Sequence, residues 1–182
     1  MKSKSTQMNI PEGWSLLPAS AVFKFVRTYS FSRENLVNGT NNNGGIGNIH
    51  YGDIHSTFFA PSIDLKKVSV PMVKDPVFEP ESDDYLKDGD LIMADASEDY
   101  AGVGTTVSLH GLGGKKIVGG LHTFVLRDTT GKTDKYFRQY IFRNPKVRNA
   151  LQKVASGVSV YSLSKTAVSK LLLPIPSLNE QK

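Results

Sequence analysis

The strongest constraint on the fold lies near the C-terminus, in the stretch Phe137 to Gln181. Its periodicity predicts helix, small-polar loop, short helix, strand, and then the first turn of another helix. Asn144 is an N-cap and Pro145 occupies the first helical position, where a missing N–H costs nothing. Val147, Leu151, Val154 and Ala155 form the apolar stripe of that helix, and Gly157 is its expected stop. Ser164 caps a second helix with Ala167, Val168 and Leu171 on its buried face. Leu171 to Ile175 reads as a short strand bounded by Pro174 and Pro176. Ser177-Leu178-Asn179-Glu180 is an S-x-x-E capping box, which announces a helix.

Upstream, the signals are those of strands and turns. Trp14 is the single tryptophan and is expected to anchor the core. Ala21 to Tyr29 alternates, with Phe23, Phe25 and Tyr29 on one face, and a short helix is possible before it. Asn38 to Gly47 lacks large side chains apart from Ile46 and reads as an exposed loop. Asn48 to Ile54 reads as a strand ending in a Gly-Asp turn. Asp64 to Val77 holds β-branched residues interrupted by Pro71 and Pro76, the pattern of edge strands. Lys87-Asp88-Gly89-Asp90 is a turn before the buried strand Leu91 to Ala94. Thr105 to Leu109, Lys116 to Val118 and Leu121 to Arg127 are further strands, the first two flanking a Gly111 to Gly114 turn. Strands first and helices last give an α+β class: a mostly antiparallel twisted sheet with a short C-terminal helical segment.

Charge is distributed unevenly. Residues 1–60 carry 5 Lys/Arg against 3 Asp/Glu, residues 61–100 carry 4 against 11, and residues 101–182 carry 13 against 3. A basic C-terminal half beside an acidic middle points to one basic face for a polyanion, not a uniformly coated surface. There is no cysteine, which excludes disulfides and thiolate metal sites. No window has the apolar length of a membrane span, and the start of the chain lacks the apolar core of a signal peptide.

Catalytic signatures are weak. Gly131-Lys132-Thr133 has the end of a phosphate-binding loop, but Leu126 stands where its first glycine belongs. Gly102-Val103-Gly104 lacks the third glycine of a dinucleotide fingerprint. Asp53, Asp64 and Lys66 loosely imitate the acid, acid and lysine of a magnesium-dependent nuclease, which is the enzyme alternative. The four histidines show no metal-binding spacing, and no metal or cofactor is expected. A non-catalytic β module binding carbohydrate or protein is a third reading.

The polar loops fit DNA readout better, because such a surface needs cations for phosphates and small polar, Arg or His side chains for base edges. The candidates are Arg27, Ser30, Ser32 and Arg33; Asn41, Asn42 and Asn43; His50 and Tyr51; Ser97; Lys115 and Lys116; His122 and Thr123; and Ser156, Ser159, Tyr161, Ser164 and Lys165. Arg33, Lys115, Lys116 and Lys165 are the phosphate candidates among them.

In order along the chain, Gly13-Trp14, Gly52-Asp53-Ile54, Tyr85 to Ile92, Gly119 to Arg127, Gly157 with Leu163-Ser164-Lys165, and Leu173-Pro174-Ile175-Pro176-Ser177-Leu178-Asn179-Glu180-Gln181 resemble the target recognition domain of type I restriction–modification specificity (S) subunits. The closing Pro-x-Pro and Glu-Gln are the most specific of these. The resemblance implies a cytoplasmic, non-catalytic domain that reads one half of a bipartite site in double-stranded DNA. It implies methylation (M) and restriction (R) subunits as partners, which use S-adenosylmethionine and ATP respectively, and a second recognition domain or copy of itself. It divides the chain into a frayed N-terminus (1–12), the recognition domain (13–176) and the start of a conserved spacer helix (177–182).

Overall fold

The computed structural model describes residues 10–38, 45–58, 60–74 and 79–182. The frayed start expected for residues 1–9, the candidates Asn41, Asn42 and Asn43, and Pro76 with Val77 lie outside the described residues. In chain order the strands and helices are β1 (Ser15–Pro18), β2 (Phe23–Val26), β3 (Leu36–Asn38), β4 (Gly47–Ile49), α1 (Tyr51–Ser56), β5 (Ser62–Asp64), β6 (Pro71–Val73), β7 (Leu91–Ala94), β8 (Ala96–Ser97), β9 (Thr106–His110), β10 (Ile117–Gly119), β11 (Thr123–Asp128), α2 (Arg138–Ile141), α3 (Pro145–Lys153), β12 (Tyr161–Ser162), α4 (Lys165–Ser169) and β13 (Leu172–Ile175). The class is α+β, as the order of signals implies.

A central sheet runs β2-β11-β7-β9-β5, antiparallel except for the β5–β9 edge. A smaller sheet runs β10-β4-β6-β3, with β10 and β4 parallel. Two ribbons, β1-β13 and β8-β12, complete the pairing. Strand β7 is buried on both faces, so its side chains divide by parity. Leu91 and Met93 join Phe23, Phe124 and Leu126 under the C-terminal helices, against Val147, Leu151, Val168 and Leu173. Ile92 and Ala94 point the other way, to Val107, Val125 and the smaller sheet's Ile49, Met72 and Ile117.

The turn before β7 carries a buried ion pair. Arg127, on β11, donates from Nε to Asp90 Oδ1 at 3.0 Å and from a terminal nitrogen to Asp90 Oδ2 at 2.7 Å. Its remaining donors reach the carbonyls of Asp83 and Tyr85, both at 2.7 Å. The two side chains are 8% and 1% exposed. Gly89 precedes Asp90 with φ +87°, and a Cβ there would sit 2.9 Å from Arg138 and from Lys135. The Gly-Asp pair is thus required by a left-handed backbone, a close approach and a buried ion pair together.

Several expectations are corrected. Gly52-Asp53-Ile54 is helical, not the end of a strand: Asp53 accepts the His50 N–H at 2.9 Å, which caps α1 directly after β4. β6 is an interior strand; Pro71 is its first residue, where the missing N–H breaks no ladder. Trp14 is half-buried outside the core clusters and donates to Glu180 at 3.0 Å. Tyr29 joins a third cluster with Leu36 and Val73, not Phe23. α3 ends at Lys153, leaving Val154 43% exposed, and Gly157 serves a hairpin and not the helix stop. Pro174 lies within β13, opposite Leu16, on a two-stranded ribbon that does not need its N–H.

Replacing Arg127 by Met leaves Asp90 charged and buried. Urea unfolding is expected to show a loss of about 3–5 kcal/mol, and the double variant Arg127→Met/Asp90→Leu is expected to recover a large part of it.

Candidate nucleic-acid interface

The two sheets sort the loops to two ends. β2, β7, β4 and β10 all finish, and β11 and β9 begin, at one end. Backbone bonds stitch it together: Tyr29 N–H to Gly119 O at 2.8 Å, Gly120 N–H to Ile49 O at 2.8 Å, Tyr51 N–H to Leu121 O at 3.1 Å and Asp95 N–H to His122 O at 3.1 Å. Arg27 to Arg33, His50 to Ser56, Asp95 to Asp99 and His122 therefore meet there. The β8-β12 ribbon adds Ser156 to Lys165, since Tyr161 pairs with Ser97 and the Leu163 N–H reaches Asp95 O at 2.8 Å.

At its centre His122 Nδ1 lies 3.2 Å from Asp95 Oδ1, with His122 held at φ 52°. The Tyr51 ring stands edge-on to both His122 and His55, at 5.4 and 6.1 Å. His55 Nε2 meets Ala96 O at 3.1 Å, which ties α1 to the ribbon. Burial pushes the Asp95 carboxyl above its ordinary value, and the nearby His122 and Lys165 only partly offset this. A cleft of about 490 Å³ lies between α1 and the loop after β8, lined by Arg33, His50, Tyr51, Asp53, His55 and Ser97 among others.

The candidates divide into three groups. Arg27, Ser30, Ser32, Arg33, His122, Ser156, Ser159, Ser164 and Lys165 are exposed at this end. Arg27 lies over the Tyr29 ring at 5.0 Å, Arg33 is 3.5 Å from Asp53, and Lys165 lies over the Phe25 ring at 5.8 Å. Ser164 also caps α4, accepting from the Ala167 N–H at 3.1 Å. Tyr51 and Tyr161 are half-buried, the latter edge-on to Tyr100 at 5.2 Å. Together these offer cations for phosphates, donors and acceptors for base edges, and flat rings.

His50, Ser97 and Thr123 are buried and act in the scaffold. The Thr123 hydroxyl donates to Gly120 O at 2.8 Å, and the Ser97 hydroxyl accepts from the Asp99 N–H at 3.3 Å. Lys115 and Lys116 are at the opposite end. Lys115 Nζ donates to Leu65 O at 2.5 Å, and Lys116 Nζ to Glu79 at 2.5 Å. Sequence proximity to the turn at Gly111 to Gly114 hid this, because both lysines precede β10 and the other candidates lie beyond its far end.

The nuclease residues are not assembled. Asp53 caps the turn beside Leu121, whereas Asp64 pairs with His110 at the other end of β9 and accepts from the Lys66 N–H at 3.0 Å. Among the described residues no cluster of three His, Cys, Asp or Glu side chains is arranged for a metal ion, and no helix is long and apolar enough to cross a membrane. Asp95, which pairs with His122, and Tyr100, which pairs with Tyr161, were not singled out from sequence. Neither has a local pattern that marks it; only the fold gives each its partner.

No family profile and no curated protein matches the chain. Solved structures do. The HsdS subunit from Thermoanaerobacter tengcongensis is similar over 97% of this chain and 36% of its own, at TM-score 0.60 and 15% identity. The type I restriction–modification S subunit from M. genitalium is similar over 100% and 38%, at 0.57 and 13%. A chain from a type I R-M system, solved for its complex assembly and conformational transition, is similar over 97% and 37%, at 0.59 and 14%. The chain thus spans just over a third of the length of these proteins, and the likeness is one of fold. It is the fold that the sequence resemblance implied.

His50 gives a pH test of this surface. Among the described residues its Nε2 is buried without a hydrogen-bond partner, and so is the nearby Asn48 Oδ1. Burial lowers the His50 pKa from its ordinary 6.5; Asp53 opposes this, and Arg33 and His122 reinforce it. With the folded value depressed, the unfolded chain binds more protons below 6.5, so stability falls as pH drops through that window. Thermal unfolding between about pH 7.5 and about pH 5.5 is expected to show a falling Tm. The fall is expected to be shallower in His50→Phe, though not absent, because burial lowers His110 in the same direction.

Proposed function

We propose that this domain reads the sequence of double-stranded DNA, as one half of a bipartite site, for a type I restriction–modification complex. The observation that carries the proposal is the gathering of the loops after β2, β4, β7 and β10, with the β8-β12 ribbon, at one end of a fold shared along nearly the whole chain with S subunits. Loops of this kind on a fixed scaffold let readout change while the core stays the same. Phosphate contacts from Arg27, Arg33 and Lys165 supply the salt-dependent affinity. His122, Asp95, Ser30, Ser32 and Ser159 meet base edges.

In this reading the domain works in the cytoplasm, catalyses nothing and needs no cofactor. Methyl transfer and cleavage belong to M and R subunits, and a second recognition domain or second copy reads the other half-site. Residues 13–176 are the recognition unit, and residues 177–182 begin the spacer that meets the M subunits. The contacts of the last turn support an ordered exit. Glu180 accepts from Trp14, and Gln181 accepts the Asp134 N–H at 2.6 Å and donates to Lys132 O and Pro176 O at 3.0 and 2.9 Å.

Titration of the purified chain against a fluorescent duplex at several salt concentrations tests the proposal. Arg33→Glu with Lys165→Glu is expected to weaken binding across all sequences. It is expected to reduce the slope of log affinity against log salt by about 2, since each phosphate that is no longer neutralised removes about one. Lys115→Glu with Lys116→Glu is expected to change the slope by less than half as much. Absence of duplex affinity at every salt concentration overturns the proposal.

A further inference from the structure

The ribbon that carries Ser156 to Tyr161 ends in an apolar tip that the fold does not use. Val158 is 91% exposed and Val160 52% exposed, with Val154 and Tyr100 beside the same ribbon at 43% and 44%. Single exposed apolar residues are ordinary, but two on one hairpin tip with two more beside it are not scattered. The tip is also firmly built. Ser156 and Ser162 exchange both backbone bonds, at 2.9 and 2.7 Å, and β12 continues into its pairing with β8. Gly157 sits at φ +122°, where a Cβ would collide with the Val160 carbonyl, so the turn is closed at its base. Val158 is held out almost wholly in solvent on this hairpin, and Val160 is about half exposed.

The charge around the tip indicates what it meets. From Asn144 to Asn179, the segment that carries the hairpin, the sequence contains five Lys or Arg and no Asp or Glu. Lys153 precedes the hairpin and Lys165 follows it, both exposed. The acidic Glu98 and Asp99 follow Ser97, the partner of Tyr161, and line the α1 cleft. An apolar tip between cations suits a polyanion with apolar groups recessed between its charges. The major groove of DNA is such a surface. It admits a two-stranded β-ribbon, and its floor carries the C5-methyl of thymine, which is recognised by apolar contact.

We propose, resting on the DNA-reading function above, that the Gly157 to Val160 tip enters the major groove and sets Val158 and Val160 against thymine methyl groups. These valines are then specificity determinants that carry no charge. They select sequence without adding to the salt-dependent affinity.

The test selects duplexes from a randomised pool with the wild-type chain and then replaces each thymine of the enriched site by uracil, which lacks only the methyl. Loss of affinity on the order of fourfold per buried methyl is expected for the wild type. Val158→Ala/Val160→Ala is expected to bind the thymine site more weakly by a similar factor and to be indifferent to uracil. Its salt slope is expected to be unchanged. Both positions are exposed, so the variant is expected to fold, and its unfolding curve checks this. Equal uracil effects in wild type and variant, or none in either, overturn this inference and leave the DNA-reading function standing. So does a variant that keeps its DNA selectivity but no longer self-associates in sedimentation, which makes the tip a protein contact. A wild type that binds no duplex removes the function and this inference with it.

Discussion

The pairing of Asp90 with Arg127 is the contact on which the arrangement of this molecule depends. It is buried from both sides, and each nitrogen of the guanidinium donates: to the Asp90 carboxylate, to Asp83 O and to Tyr85 O. The carboxylate also accepts the Lys87 N–H at 2.8 Å. One ion pair thus fixes the start of β7, its position beside β11 and the course of the acidic segment before it. Charges taken this far from water are tolerated only when their remaining hydrogen-bonding capacity is met, and here it is. Acidic and basic residues that look like surface charge in the composition are, at this place, part of the scaffold.

A second polar node closes the same end of the sheet. Asp128, at the end of β11, accepts from Thr130, Gly131 and Thr133 and lies 3.4 Å from Arg138. Burial pushes its pKa up, but the hydrogen bonds from Thr133 and Thr130 outweigh this and hold it below the ordinary value. The Gly131-Lys132-Thr133 sequence is therefore a turn folded around its own carboxylate, with its amides already used. Lys132 reaches back to Ala21 O at 3.1 Å. At this end Asp90, Arg127, Asp128 and Arg138 all find their partners within the chain. The other end leaves Arg33, His122, Ser159 and Lys165 facing solvent. The contrast gives a physical reason to place recognition there.

What the sequence made legible were the features that local chemistry decides. β7 was readable because four consecutive apolar residues follow a Lys-Asp-Gly-Asp turn, and α3 because Asn144 and Pro145 mark its start. The caps at Asn144 and Ser164 hold the N–H groups expected of them, with Lys146 N donating to Asn144 at 2.9 Å. α1 was not legible, because a six-residue helix has almost no periodicity and its cap is a histidine assisted by Asp53. Nor was the division of the lysines. Lys115 and Lys165 look alike in sequence; whether each lies over a ring such as Phe25 or reaches a carbonyl such as Leu65 O depends on strand pairings between distant residues. Of the candidate surface, its polar character was readable but not its grouping, since His122 and Asp95 are 27 residues apart and meet only through the β7–β11 register.

The same topology explains the closing Pro-x-Pro and Glu-Gln, the most recognisable residues of the chain. β13 pairs with β1, so the stretch after it returns to the start of the domain, where Glu180 accepts from Trp14. Gln181 is buried and spans from Pro176 O to the Lys132–Asp134 loop, which follows the Asp128 node. The final turn is consequently held at the Asp128 end of the central sheet, away from His122 and the β8-β12 ribbon. The partner contacts proposed for that turn and the DNA contacts proposed for the loops would engage different ends of one sheet. Neither has to displace the other, and the buried Asp90–Arg127 pair lies in the scaffold that joins them.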